Sequence, residues 1–208
     1  MKSIEATLNL LNSIAEKLRR SCPVDIALGG GFAVIAHGVG RTTADVDFYL
    51  YSDLILENST SFFQLLKKAV PGNFEVKVVE GSKTPDDPFP YDIVFLSDKA
   101  GAYPRIDLII PRFKWELEGI KASKPLEDIP FPVLPKPYLI AVKLRAGGPK
   151  DNYDVIELYG LLSEEEKKKT AELAALARRD RNLAKLLEKT KPKPEESVDK
   201  DQLIVDMK

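Results

Sequence analysis

The chain has 208 residues, 44% hydrophobic and 30% charged, which fits an ordinary globular protein. Its 31 basic and 32 acidic side chains nearly cancel, so net charge makes no case for a nucleic-acid footprint, although a local basic face stays compatible with one. Cys22 is the only cysteine and His37 the only histidine, which excludes an intrachain disulfide and Cys/His zinc sites and argues against a Ser-His-Asp relay. No apolar run approaches the ~20 residues needed to span a bilayer. The N-terminus lacks a signal-peptide core. A reducing, cytoplasmic setting without membrane contact is the expectation.

Residues 3–20 space Ile4, Leu8, Leu11, Ile14 and Leu18 as on one face of a helix. Val24, Ile26 and Leu28 then alternate, predicting a strand that runs into Gly29-Gly30-Gly31. A short helix over 32–37 stops at Gly38 and Gly40. Residues 45–50 read as a second strand, and 59–70 as a helix with Phe62, Phe63, Leu66 and Val70 inward. Phe74, Val76 and Val78 alternate with Glu75 and Lys77, a third strand with one wet face. Residues 81–90 are rich in Pro and Asp and predict a loop. Two further strands are expected over 91–96 and 105–110.

The pattern then turns helical over 136–146, 150–162, 164–178 and 181–189, with Ser163 and Glu166 as a capping box. The fold class expected is α/β (α+β): a mixed sheet flanked by helices, with a C-terminal helical bundle. A proline-rich stretch, 125–137, is the expected boundary. It divides an α/β domain (1–124) from a helical domain (125–189), followed by a flexible Lys/Pro/Glu/Asp-rich tail (190–208).

Asp45 and Asp47 lie two residues apart on a predicted strand, so both carboxylates leave one face, with Cα atoms ~6.5–7 Å apart. Like charges so close repel unless a cation neutralises them, and hard oxygen ligands suit magnesium. Asp107 sits within the apolar run of 106–110, where a lone charge is costly unless paired or metal-bound. If the two strands are neighbours, three carboxylates converge and can hold two metal ions ~3.5–4 Å apart. A strand running into three glycines and a helix exposes backbone N–H groups that suit a phosphate.

Other readings stand beside these. Asp45 and Asp47 also fit as solvated acids on an exposed face, Asp107 as a partner of Arg105, and the glycines as a tight turn only. His37 fits a buried hydrogen-bonded role. Arg41 fits a phosphate contact or a salt bridge, and Lys143 a triphosphate contact or a snorkelling side chain. Asp151 and Asp154, at i, i+3, fit as an acceptor base or as a cap and partners of Lys150.

Gly30-Gly31, thirteen intervening residues, Asp45-Val46-Asp47 and the later Asp107 resemble the signature of the polymerase-β-like nucleotidyltransferase superfamily. Within it, Phe32-Ala33, His37-Gly38, Arg41-Thr42, Lys143-Leu144-Arg145, Lys150-Asp151 and Asp154 look most like the small AbiE-type nucleotidyltransferases of toxin–antitoxin systems. The resemblance covers roughly residues 24 to 160. It implies magnesium, two ions with manganese as a substitute, on Asp45, Asp47 and Asp107. It implies a nucleoside triphosphate on Gly30, Gly31, Arg41, Lys143 and Lys150, with Asp107 or Asp154 taking the acceptor proton. A nucleoside monophosphate would pass to an acceptor hydroxyl on RNA or tRNA in a toxin-like role, with an antitoxin protein as partner. The alternatives are a small-molecule acceptor such as an aminoglycoside, or a non-catalytic member that binds a nucleotide or a partner. One departure is that the family often carries Gly-Ser at the turn, whereas Gly30-Gly31 offers no hydroxyl.

Overall fold

α1 (Ile4–Arg19) opens the computed structural model, which describes residues 2–81 and 92–189. The Ser3 hydroxyl caps the helix by accepting the Ala6 amide at 3.2 Å. Leu8, Leu11, Ile14 and Leu18 form the buried stripe that their spacing predicts. β1 (Asp25–Leu28) runs into α2 (Gly30–Ala36), and β2 (Val46–Tyr51) follows. α3 (Asp53–Ala69) starts before the expected helix because it consists of two pieces. Asn58 breaks it at φ −158°, ψ 85°, and the Asn58 Oδ1 re-caps the second piece by accepting the Ser61 amide at 3.0 Å.

β3 (Phe74–Glu80), β4 (Asp92–Asp98) and β5 (Ile106–Ile110) match three expected strands. Residues 82–90 of the expected loop and the expected tail, 190–208, lie outside the described residues. α4 (Lys114–Ala122) was not foreseen in the sequence. It is short, and its N-terminus is capped by the buried Glu116, whose Oε2 accepts the amides of Arg112 and Phe113 at 3.0 and 3.1 Å. The proline-rich stretch is also built differently from the expected boundary. It contains most of β6 (Lys124–Leu126) and all of β7 (Ile129–Val133), both within the sheet. In β7, Phe131 and Val133 are buried while Pro130 is exposed, so strand alternation persists through the prolines.

The strand order is β3-β4-β5-β2-β1-β7-β6. β2 is central, antiparallel to β1 and parallel to β5, and β1 pairs parallel with β7 at Leu28↔Val133. The four expected helices follow as α5 (Lys136–Ala146), α6 (Pro149–Gly160), α7 (Glu164–Leu176) and α8 (Asp180–Lys189). α5 packs on α6 and α7, and α8 packs on both of those helices. The Ser163–Glu166 capping box is formed, with amide-to-side-chain bonds of 3.2 and 2.8 Å. Among the described residues no helix is long and apolar enough to cross a membrane.

The core runs from α1 and α3 through the sheet into α5 and α6. Phe48 of β2 and Phe131 of β7 are both fully buried and meet edge to face, ring centroids 5.3 Å apart. Phe48→Ala is expected to lower stability by about 3–5 kcal/mol in urea titrations. A loss below about 1 kcal/mol would contradict this packing.

Candidate active site

Side chains on β2 alternate. Val46, Phe48 and Leu50 enter the core, and Asp45 and Asp47 leave by the other face. The parallel pairing of β2 with β5 sets Asp47 directly opposite Asp107. The strand adjacency on which the three-acid cluster depended is therefore present. Asp107 is buried, whereas the Asp45 side chain is about half exposed (48%).

The glycine turn is fitted around Asp47. Gly29 donates its amide to the Asp47 carbonyl at 2.8 Å, and the Gly31 amide bonds the Asp47 carboxylate. Gly30 has φ +55°, and a Cβ there would collide with the Asp47 carboxylate. A Cβ on Gly31 would approach Thr43 Oγ1 to 2.7 Å and Arg41 Nη2 to 3.2 Å. A hydroxyl therefore stands beside the turn although neither glycine supplies one. Thr43 was not singled out in the sequence, where it is one of two adjacent threonines with no pattern around them.

Burial, together with the neighbouring charges of Asp107 and Asp45, pushes the Asp47 carboxyl up to about 6. Burial also raises Asp107, against the pull of Arg105. The Arg105 Nε and Nη2 each donate to Asp107 at 2.9 Å, and Nη2 reaches Asp45 at 3.4 Å. The pairing of Asp107 with Arg105 weighed from the sequence is thus made, and it extends to Asp45. Among the described residues no three His, Cys, Asp or Glu side chains stand together as a ready metal-ligand set. The acids nonetheless fit a hard cation, because they share one face and a guanidinium already bridges two of them.

A second charge cluster joins the loop after α2 to the helical half. Asp154 of α6 is fully buried. Its Oδ2 accepts from Arg41 Nη1 and from Lys143 Nζ, the latter at 3.0 Å. Its Oδ1 is buried with no hydrogen-bond partner among the described residues. Lys143 also donates to Asp151 Oδ1 at 2.9 Å, and Asp151 Oδ2 accepts the Gly148 amide at 3.2 Å. Asp151 is therefore a cap and an ion-pair partner, of Lys143 rather than of Lys150. Lys143 lies close enough to Asp47 to draw its carboxyl down. Lys150 lines a cavity of about 490 Å³ together with Arg41, Thr42, Pro149, Tyr153 and Asp154. His37 is half-buried rather than buried, and its Nε2 makes the hydrogen bond expected of it, to the Leu134 carbonyl at 2.7 Å.

Two measurements follow from this geometry. Gly30→Ala is expected to lower stability by about 1–3 kcal/mol, because the left-handed backbone and the carboxylate both oppose a Cβ. Gly72→Ala, which meets nothing within 4 Å, serves as the near-neutral control. Asp47 holds its proton more tightly folded than unfolded. Its neutral form therefore stabilises the fold fully below the unfolded value of 3.8, and this contribution is lost as pH rises through about 6. The stability advantage of Asp47→Asn over the parent should then grow between about pH 4.5 and pH 7.5, and a constant or shrinking gap in urea titrations would refute the assignment.

No curated protein matches the chain in sequence. Among solved structures it is similar to an antigenic nucleotidyltransferase-like protein from Paracoccidioides brasiliensis, at 19% identity and a TM-score of 0.46 over 88% of this chain and 91% of that one. It is also similar to ANT(2″)-Ia in complex with adenylyl-2″-tobramycin, at 14% identity and a TM-score of 0.48 over 82% and 98% of the two chains. Terminal uridylyl transferase 4 from Trypanosoma brucei, with bound UTP and UMP, gives 14% identity and a TM-score of 0.34 over 52% and 35%. A family profile described as nucleotidyl transferase AbiEii toxin, type IV TA system, matches residues 17–207. The chain belongs to that family of AbiEii nucleotidyltransferase toxins.

Proposed function

We propose that the protein moves a nucleoside monophosphate from a nucleoside triphosphate to an acceptor hydroxyl on RNA, such as a tRNA end, in the cytoplasm. The observation that carries this reading is the register pair Asp47↔Asp107, with Asp45 on the same face, beside a glycine turn that admits no side chain at Gly30. Asp45, Asp47 and Asp107 would hold magnesium, as two ions or with manganese in its place. When bound, the metal neutralises the triphosphate and the charge that develops on phosphoryl transfer.

The turn at Gly30 and Gly31 lets the backbone approach the phosphates, and Thr43 offers the hydroxyl that the glycines lack. Arg41 and Lys143 steady the triphosphate from positions fixed by Asp154, which acts as a positioning residue. Lys150 and the half-exposed Tyr153 line the adjoining cavity with a cation and a ring suited to a nucleotide. The acceptor oxygen attacks the α-phosphorus, its proton passes to Asp107, and pyrophosphate leaves. The family's description as a toxin supports RNA as acceptor and an antitoxin protein as partner.

Incubation with each radiolabelled nucleoside triphosphate, magnesium and total RNA tests the proposal. Label should pass to RNA with the parent and fall at least about 100-fold with Asp45→Ala/Asp47→Ala. Label reaching only small molecules would overturn the RNA acceptor, and neither transfer nor nucleotide binding would overturn the catalytic reading.

A further inference from the structure

Arg105 stands two residues before Asp107, at the mouth of β5, on the face that carries the acids. Both arms of its fork are used on Asp107 and one reaches Asp45, so a single guanidinium touches two of the three acids. Its carbon lies 5.6 Å from the centroid of the Phe95 ring, and its side chain is half exposed. A divalent ion on the same acids would compete for the same oxygen atoms. Two full cations cannot share them without repulsion in a half-buried site.

We propose that Arg105 is a built-in counter-ion, which a divalent cation must displace from Asp107 and Asp45 before those acids can serve as its ligands. The proposal rests on the metal-site reading given above. The displaced side chain has somewhere to go. A groove of about 310 Å³ beside it is lined by Glu75, Lys77, Phe95 and Ser97, offering a carboxylate and a ring face. A bare cation therefore binds weakly. A cation arriving with a triphosphate gains the further contacts of Arg41 and Lys143 and displaces Arg105 more readily. The arginine thus ties occupancy of the acids to the presence of nucleotide.

Manganese titration of the full chain without nucleotide, followed by electron paramagnetic resonance, tests this directly. Arg105→Gln should bind manganese roughly three- to tenfold more tightly than the parent, up to about 1.4 kcal/mol. Arg105→Lys, which keeps the charge and loses the fork, should fall between them. Asp45→Asn/Asp47→Asn should bind none at this site. Without metal, Arg105→Gln should melt below the parent, and manganese should raise its midpoint by more than it raises the parent's. An arginine that merely pins the start of β5 gives unchanged or weaker manganese binding and no such recovery, and either result overturns the proposal. If the parent binds manganese through Asp45 and Asp47 but Arg105→Gln gains nothing, the counter-ion falls and the metal site stands. If no variant binds manganese, both fall.

Discussion

The parallel register between β2 and β5 puts Asp47 and Asp107 side by side, and the site is organised around the repulsion this creates. Two neighbouring carboxylates on a partly buried sheet are unfavourable without a cation. One is supplied from within β5's own approach, by Arg105, and another from α5, by Lys143. Asp47, with no arginine fork of its own, has its carboxyl pushed up to about 6 by burial and by its acidic neighbours. Phe48 and Leu108, each one residue after an acid of the Asp47↔Asp107 pair, fix the register by burial on the opposite face.

Shape constrains the same place. The turn after β1 comes so close to Asp47 that only glycine fits, and its amides hold the carboxylate and carbonyl of that residue. Arg41 and Lys143 come from segments about a hundred residues apart in sequence and meet on one buried oxygen of Asp154. Losing that carboxylate would leave two cations facing each other, so Asp154 sets the spacing of positive charge in the site. Electrostatics on the helical side and backbone packing on the sheet side thus each fix one part of the site.

Much of this could be read in the sequence, for identifiable reasons. Alternation around Asp45 and Asp47, and an acid inside the apolar run at Asp107, are local signals that survive folding unchanged. So are the four C-terminal helices, whose periodicity and caps are written in neighbouring residues. Strand adjacency is not local, and neither is the reach of Arg105 to Asp45 across two strands. α4 carries no local signal of its start, because its cap, Glu116, acts through burial and through Arg145, 29 residues away. β7 was hidden by Pro130 and Pro132, which read as loop residues although Phe131 and Val133 keep the period of a strand. Thr43 had no signal at all, since only the folded turn brings it beside Gly31.

The position of β7 has a consequence for how such a chain can be divided or recombined. β1 is flanked by β2 on one side and β7 on the other. A piece ending at the prolines would leave β1 with an open row of amides and carbonyls beside Ile26, Ala27 and Leu28, which invites pairing with another chain and aggregation. The complementary piece would carry Phe131 without its ring partner Phe48. A cut before β6 therefore breaks both the β1–β7 pairing and the Phe48–Phe131 contact, whereas a cut between Val133 and α5 keeps both on the sheet side.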